Sequence, residues 1–205
     1  MSMSRSSSGT AVFCRRTGPA LACLLLAGCA SPERTGTAQV PATAAVDWRN
    51  TTYTVTCDGI VPKGFRATVV GGVARVTADP SRPPHYDHYD VHVTATATGD
   101  VDGDGAPDAV VLLDCSPQPS NGIVQEVQIF SSRGRLPATL PSPRTLQGSA
   151  LLPPVYDPGG LSVQDGEIVA AMKAYGPDDF HATGPSVPLT VRWRFDGQEF
   201  VEAPS

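Results

Sequence analysis

The sequence predicts a mainly β protein that folds as a single antiparallel domain, either a sandwich or a curved sheet. It contains 20 glycines and 20 prolines among its 205 residues, and this punctuation is typical of many short strands joined by turns. Between these residues lie short runs that alternate polar and apolar positions, the period of a strand with one buried face. No segment sustains the 3.6-residue apolar stripe of an amphipathic helix.

The first strands are predicted from this alternation. Residues 52–57 alternate polar and apolar positions. Residues 67–77 carry Gly71-Gly72 at their centre, and a glycine pair tolerates the positive φ of a tight turn, so this stretch predicts a hairpin. Residues 89–97 alternate so regularly that one face of the strand must be buried.

The later strands follow the same logic, with one exception. Residues 109–113 are continuously apolar, which predicts a central strand covered on both faces. Residues 122–130 return to alternation, and residues 160–174 and 189–201 predict two hairpins, each around an Asp-Gly pair. The Pro-rich stretches 79–84, 117–121 and 141–154 are predicted to be surface loops.

Residues 1–28 have the features of an export signal and are set apart from the folded domain. Their first part contains three arginines and no acidic residue, and a short apolar segment follows at 20–27. That segment is too short to span a bilayer as a stable helix. Residues 29–46 are small, polar and Pro-containing, which predicts a disordered, flexible tether in front of a single domain at 47–205.

The end of the signal, Leu26-Ala27-Gly28-Cys29, resembles the lipobox of bacterial lipoproteins. The resemblance implies that the Cys29 thiol receives a diacylglycerol and becomes the mature N-terminus. The protein is then expected to be monomeric and anchored to the outer face of the cytoplasmic membrane. The alternative is an ordinary secretory signal without lipidation.

Cysteine use agrees with export. Of five cysteines, Cys14 and Cys23 leave with the signal and Cys29 would carry the lipid. Cys57 and Cys115 remain as an even pair in an oxidising compartment, which predicts a disulfide between them. That bond would pin the strand after residue 108 to the first strand of the domain.

Charge excludes some partners. The chain has a formal charge of −5, and loss of the three signal arginines leaves 12 basic against 20 acidic residues, a charge of −8. With no basic stripe, nucleic-acid binding is not expected. Attraction to anionic lipid headgroups is not expected either, so the acyl chains would provide the membrane contact.

Residues 100–108 read Asp-Val-Asp-Gly-Asp-Gly-Ala-Pro-Asp and predict a calcium loop. Four carboxylates within nine residues repel one another, and a hard dication removes that repulsion by taking their oxygens as ligands. The loop departs from an EF-hand because position 12 is Val111 and a strand-like run follows. The alternative is a solvated Asp/Gly turn between two strands.

The loop resembles the D-x-D-x-D-G-x-x-D calcium loop of FG-GAP repeats, in which a strand follows. The motif occurs once here, so a multi-bladed propeller is not expected. The resemblance implies side-chain ligands and one backbone carbonyl ligand for Ca²⁺, which are Asp100, Asp102, Asp104, Asp108 and the carbonyl of Ala106.

A second cluster of metal-ligand residues lies at His88, Asp90 and His92. Residues two apart on a strand share a face, and two imidazoles with a carboxylate suit zinc or copper. The alternative is the polar outer face of an amphipathic strand, which explains the alternation without a metal.

A hydrolase is the third hypothesis. Asp178, Asp179 and His181 combine two carboxylates and an imidazole in a predicted loop, and acid–base chemistry would require one carboxylate to be shielded from solvent. A deep pocket around these residues would support catalysis, whereas an exposed loop indicates an ordinary turn. The sequence contains no nucleophile elbow, zinc-protease helix or phosphate loop.

The order of these features is similar to that of uncharacterised secreted lipoproteins of actinobacteria. The residues that carry this resemblance are Trp48, Tyr53, Cys57, the loop 99–108, Cys115 and the aromatic hairpin 193–200. It implies location and architecture but no activity. The sequence thus predicts a non-enzymatic binding or envelope-associated module with a structural Ca²⁺.

Overall fold

The computed structural model describes residues 46–131 and 138–204. In chain order its strands are β1 (Thr52–Val55), β2 (Phe65–Thr68), β3 (Val73–Thr77), β4 (His88–Gly99), β5 (Asp108–Gln118), β6 (Val124–Phe130), β7 (Ala138–Thr139), β8 (Val155–Gln164), β9 (Glu167–Ala174), β10 (Val187–Phe195) and β11 (Phe200–Glu202). A 3-10 helix, Pro143–Leu146, lies between β7 and β8. The predicted signal, the lipidation at Cys29 and the tether up to residue 45 lie outside the described residues.

The strands form three sheets in which all pairings are antiparallel. A two-stranded sheet pairs β1 with β2, a four-stranded sheet has the order β11-β10-β9-β8, and a five-stranded sheet has the order β3-β4-β5-β6-β7. The prediction of a mainly β, antiparallel fold is confirmed. Within the described ranges, no helix has the length and apolar character needed to cross a bilayer.

The five-stranded sheet lies between the other two, and β5 is its central strand. Val111 and Leu113 point into a core shared with β1 and β2, whereas Val110 and Leu112 point into a core shared with β8 to β11. All four side chains are fully buried. The continuously apolar run is therefore explained by burial on both faces, as predicted.

A β-bulge lets β4 contribute to both cores. The register against β5 shifts between Val93 and Ala95, so that one residue is inserted. Before the bulge Val91 and Val93 face the β1–β2 core, and after it Ala95 and Ala97 face the β8–β11 core. A one-residue insertion moves the following side chains to the opposite face because the side-chain period of a strand is two.

The predicted hairpin across residues 67–77 is wrong in its pairing. β2 pairs with β1 and β3 pairs with β4, and only an isolated bridge between Val70 and Val73 joins the two runs. The turn itself is present, since Gly71 and Gly72 have φ values of 63° and 90°. The Arg49 side chain donates to the carbonyl of Gly71, and the Arg49 carbonyl accepts from Gly72 N, so both bonds hold this turn. The turn carries the chain from the β1–β2 sheet to the five-stranded sheet.

The two C-terminal hairpins are confirmed. β8 and β9 meet at Asp165-Gly166, whose φ values of 53° and 80° match the turn that Asp-Gly pairs favour. β10 and β11 pair from Trp193 with Glu202 to Phe195 with Phe200, and the buried Trp193 lies in the β8–β11 core.

The small β1–β2 sheet is joined to the central sheet by a disulfide and by a buried polar row. Cys57 is bonded to Cys115 of β5 with a Cα–Cα distance of 5.3 Å, which confirms the predicted pairing. Glu126 of β6 accepts from Thr56 Oγ1 at 2.6 Å and from Thr56 N at 3.1 Å, and Gln128 donates to the carbonyl of Thr54 at 2.8 Å. The polar face of β6 is therefore buried against β1.

Candidate functional site

The Asp-rich loop joins the two long strands β4 and β5 of the central sheet. Gly99, the last residue of β4, pairs with Asp108, the first residue of β5, so the antiparallel ladder closes the base of the loop. Asp108 is 1 % exposed and its Oδ2 accepts from Val101 N at 3.0 Å. Since the ladder holds both ends of the loop and Asp108 is buried, the base of the loop is fixed by the sheet.

Within the loop, aspartate side chains accept hydrogen bonds from nearby backbone amides. Asp100 accepts from Gly103 N at 2.8 Å and from Gly105 N at 2.9 Å. Asp102 accepts from Asp104 N at 3.1 Å, and Asp104 accepts from Ala106 N at 2.8 Å. These bonds turn the chain so that its carboxylates are drawn towards one side.

Three of the four carboxylates converge. One oxygen from each of Asp100, Asp102 and Asp108 lies within 4.8 Å of the others, and this is the one group of three or more potential metal ligands among the residues that the structure describes. Asp104, the fourth predicted carboxylate ligand, is not in the group. A set of hard oxygen donors at this separation suits Ca²⁺ or Mg²⁺ better than the softer transition metals.

Two of the convergent carboxylates, Asp100 and Asp102, line a solvent-accessible groove of about 680 Å³. Its near wall is the Asp-rich loop from Gly99 to Gly103, and its far wall is the β8–β9 turn with Glu167 and Arg194. A cation and its remaining water ligands can therefore reach Asp100 and Asp102 from this side, while Asp108 closes the buried side.

His88, Asp90 and His92 share one face of β4, as predicted, but their contacts in the structure are with protein side chains. Arg75 of β3 binds both carboxylate oxygens of Asp90, at 2.7 and 3.0 Å, and this ion pair holds the pKa of Asp90 below its usual value. His88 Nε2 lies 3.6 Å from Asp90 Oδ2, and His92 pairs across the ladder with Asp114. A metal at Asp90 would have to displace Arg75, so zinc or copper binding here stays a prediction without structural support.

Of the predicted hydrolase residues, Asp179 is engaged in closing its own loop. Asp179 Oδ2 accepts from Gly176 N at 2.7 Å and from Ser186 N and Oγ at 2.9 Å, which lowers the pKa of Asp179 and closes the β9–β10 loop. His181 lines a cleft at this end of the domain, but Asp178 and Asp179 do not. Asp179 therefore has a structural role in closing the loop, and the hydrolase hypothesis stays a prediction.

Sequence reasoning missed the charged pair in that cleft. Arg144, in the 3-10 helix, donates from Nε to Asp58 Oδ2 at 2.9 Å across 86 residues of chain. Neither residue belongs to a local motif. Only the position of Asp58 next to Cys57 in the sequence could have drawn attention to it.

Comparison with known protein families, with curated proteins and with solved structures finds no match for this chain.

Proposed function

We propose that this protein is an exported, lipid-anchored binding module without enzymatic activity, whose Asp-rich loop binds Ca²⁺ as a structural ion. The observation that carries the calcium proposal is the convergence of Asp100, Asp102 and Asp108 within 4.8 Å at the base of the central strand pair. The resemblance of residues 26–29 to a lipobox supports the proposed lipid anchor, and the sequence contains no recognised catalytic motif.

Two further features favour Ca²⁺. The loop has the D-x-D-x-D-G-x-x-D spacing, and a strand, β5, begins at its final aspartate, as the resemblance to FG-GAP loops implies. The convergent donors are all carboxylate oxygens, and Ca²⁺ accepts six to eight oxygen ligands in flexible geometry, so backbone carbonyls and waters can complete its coordination.

The role of the ion follows from the position of the loop. Charge repulsion among the carboxylates opposes the closed loop, and Ca²⁺ converts that repulsion into attraction. Because Asp108 is both a proposed ligand and the first residue of β5, the ion would fix the start of the central strand. Bound Ca²⁺ would therefore stabilise the whole sheet and not only the loop.

Millimolar Ca²⁺ is expected to raise the unfolding temperature of the purified chain, with its disulfide intact, relative to the same chain in EDTA. For the submillimolar to millimolar affinity of extracellular modules, 10 mM Ca²⁺ should raise it by about 3 to 10 °C. Asp108→Asn should abolish this response, because asparagine keeps an oxygen for Val101 N but loses the charge. Calorimetry or circular dichroism measures the shift.

Two variants sharpen the calcium test. Asp178→Asn removes an exposed carboxylate outside the loop and should leave the calcium response unchanged. Asp104→Ala should lose the response, because the resemblance makes Asp104 a ligand. An unchanged response in Asp104→Ala would restrict the side-chain ligands to Asp100, Asp102 and Asp108, and no response in the wild-type chain would refute the calcium proposal.

Lipid anchoring is tested by Cys29→Ser in a bacterial host. The wild-type protein is expected in the membrane fraction and in the detergent phase after partition, whereas Cys29→Ser should lose both properties. Cys23→Ser, which changes a cysteine inside the signal, is the matched control and should remain with the membrane. Equal release of wild type and Cys29→Ser into the soluble fraction would instead indicate an ordinary secretory signal.

A further inference from the structure

A cleft of about 220 Å³ lies at the end of the domain opposite the Asp-rich loop. β5 starts at the Asp-rich loop, and the β5–β6 loop beyond its other end lines the cleft. The turn after β1, the segment between β7 and β8, and the β9–β10 loop supply the other walls. Loops held by a rigid β scaffold are a common position for binding sites. The volume is smaller than that of a drug-sized site, so the cleft suits a small group.

Asp58 and Arg144 form the charged part of the cleft. The Asp58 side chain, which accepts from Arg144 Nε, is only 8 % exposed. Asp58 follows the disulfide-bonded Cys57, and its backbone N–H donates to Glu126 at 3.3 Å. Cys57 and Asp58 have φ values of 49° and 51°, a left-handed conformation that is costly for residues other than glycine and occurs often at functional sites.

Arg144 retains hydrogen-bonding capacity towards a ligand. Within residues 46–131 and 138–204, its guanidinium has a partner only at Nε, and the side chain is 56 % exposed. The two Nη groups can bind a carboxylate with parallel hydrogen bonds. His181 also lines the cleft, and Asp58 is the only acidic residue among the lining residues. Because Arg144 is paired with Asp58, the cleft carries no net negative charge, whereas the chain without its predicted signal has a charge of −8.

A buried tyrosine adjoins this charged pair. Tyr156 N donates at 2.7 Å to Gln125, which lines the cleft. Burial, together with the nearby Asp58 carboxylate, raises the pKa of the Tyr156 phenol. The hydroxyl is buried and has no hydrogen-bond partner in the described part of the chain. Tyr156 is not among the residues that line the cleft, so its hydroxyl is not counted among the groups that contact a ligand there.

Exposed apolar side chains contribute to the lining of the cleft. Ile123, which is 62 % exposed, and Val155 line it, while Leu151 and Phe180 immediately adjoin lining residues in the sequence. These are four of the eight large apolar side chains that are exposed in the described ranges. Ile123 and Val155 therefore give the cleft an exposed apolar wall.

We propose that this cleft binds a small ligand that combines an apolar body with a carboxylate. The apolar body packs against Ile123 and Val155, and the carboxylate accepts hydrogen bonds from the two Nη groups of Arg144. The cleft offers donors and has its one acid already paired, which favours an anionic acceptor over a cation. This inference rests on the binding role proposed above but not on calcium, because the Asp-rich loop lies at the opposite end. A free organic acid and the C-terminal carboxylate of a peptide present the same chemistry.

The test is an NMR titration of the ¹⁵N-labelled chain with benzoate, in EDTA and again in Ca²⁺. Saturable shifts are expected at the amides of Ile123, Val124 and Arg144, with the same affinity in both buffers. Benzamide, the neutral isostere, and the variant Arg144→Gln should each bind roughly ten- to hundredfold more weakly, since hydrogen bonds to charged groups are lost. Arg194→Gln, an exposed arginine at the opposite end, is the matched control and should bind benzoate like the wild type.

Ile123→Glu provides a second test that leaves the Asp58–Arg144 pair intact. It places a negative charge at the exposed rim and should weaken benzoate binding while benzamide binding changes less. A peptide that ends in leucine with a free carboxylate distinguishes the two sources of the ligand. If it binds more tightly than benzoate and loses this affinity when amidated, the ligand is a peptide C-terminus. If benzoate binds more tightly, the ligand is a free acid. Equal binding of benzoate to Arg144→Gln and wild type, or no saturable shift, overturns the inference and leaves the calcium proposal untouched.

Discussion

Replacement of both Cys57 and Cys115 by serine is expected to lower the free energy of unfolding by about 4 kcal/mol. The disulfide joins residues 58 positions apart, and the chain-entropy relation gives this value for a loop of that length. Both cysteines are fully buried in the core shared by β1, β2 and the central sheet, so local packing adds to the loss. Urea unfolding of the wild type and the double variant measures the difference.

The control for this experiment is the wild-type chain unfolded in the presence of a reductant, which should approach the stability of the double serine variant. A loss below about 1 kcal/mol in the double variant would mean that the unfolded chain is already compact around residues 57 to 115 and gains little freedom from reduction.

Glu126→Ala is expected to lower the free energy of unfolding by about 3 kcal/mol. The buried Glu126 carboxylate accepts from Thr56 N, Thr56 Oγ1 and the side-chain amide of Gln128, the last at 2.6 Å. Alanine would leave the two partly buried Thr56 donors without an acceptor, whereas Gln128 would keep its bond to the Thr54 carbonyl. An unsatisfied donor costs more than the hydrogen bond itself contributes. Chemical unfolding of the variant, with the disulfide intact, measures the loss.

Two further variants define what the Glu126 result means. Glu126→Gln keeps one acceptor oxygen and should lose less than alanine, because some of the donors stay paired. Glu199→Ala removes an exposed glutamate in the β10–β11 turn and should change stability by no more than about 0.5 kcal/mol. If Glu126→Ala lost no more stability than Glu199→Ala, water would be accepting from the Thr56 donors in the variant, and the expected cost of leaving them unpaired would be refuted.

Local periodicity in the sequence was sufficient to predict most of the strands. The apolar run in β5 indicated a central strand because burial on both faces removes the need for polar positions. The Asp165-Gly166 and Asp196-Gly197 pairs located two hairpins because their turn geometry is a property of a few residues.

The assignment of strands to sheets could not be predicted in the same way. Residues 67–77 contain a turn that is compatible with a hairpin, but β2 finds its partner in β1 and β3 in β4. That choice depends on packing between strands distant in the chain. Likewise, Glu126 and Gln128 have the polarity of a solvent-facing row, and their burial becomes visible only when β1 lies across them.

The Asp-rich loop and the Asp58–Arg144 cleft also differ in whether local sequence could predict them. The Asp-rich loop is encoded within nine consecutive residues, so its position and the convergence of three aspartates follow from local spacing. Asp58 and Arg144 are 86 residues apart and meet only because the disulfide turn and the 3-10 helix lie side by side. A pairing of this kind has no local pattern, and the tertiary structure is needed to find it.

The disulfide also determines how the domain would respond to mechanical load. The chain enters at Trp48, which stacks on Phe130 with ring centroids 4.8 Å apart, and then runs along β1 to Cys57. Tension applied from the N-terminal side would detach β1 from β2, but only as far as Cys57. Beyond that residue the force passes through a covalent bond into Cys115 of β5, the most buried strand, so further extension requires the central sheet itself to yield.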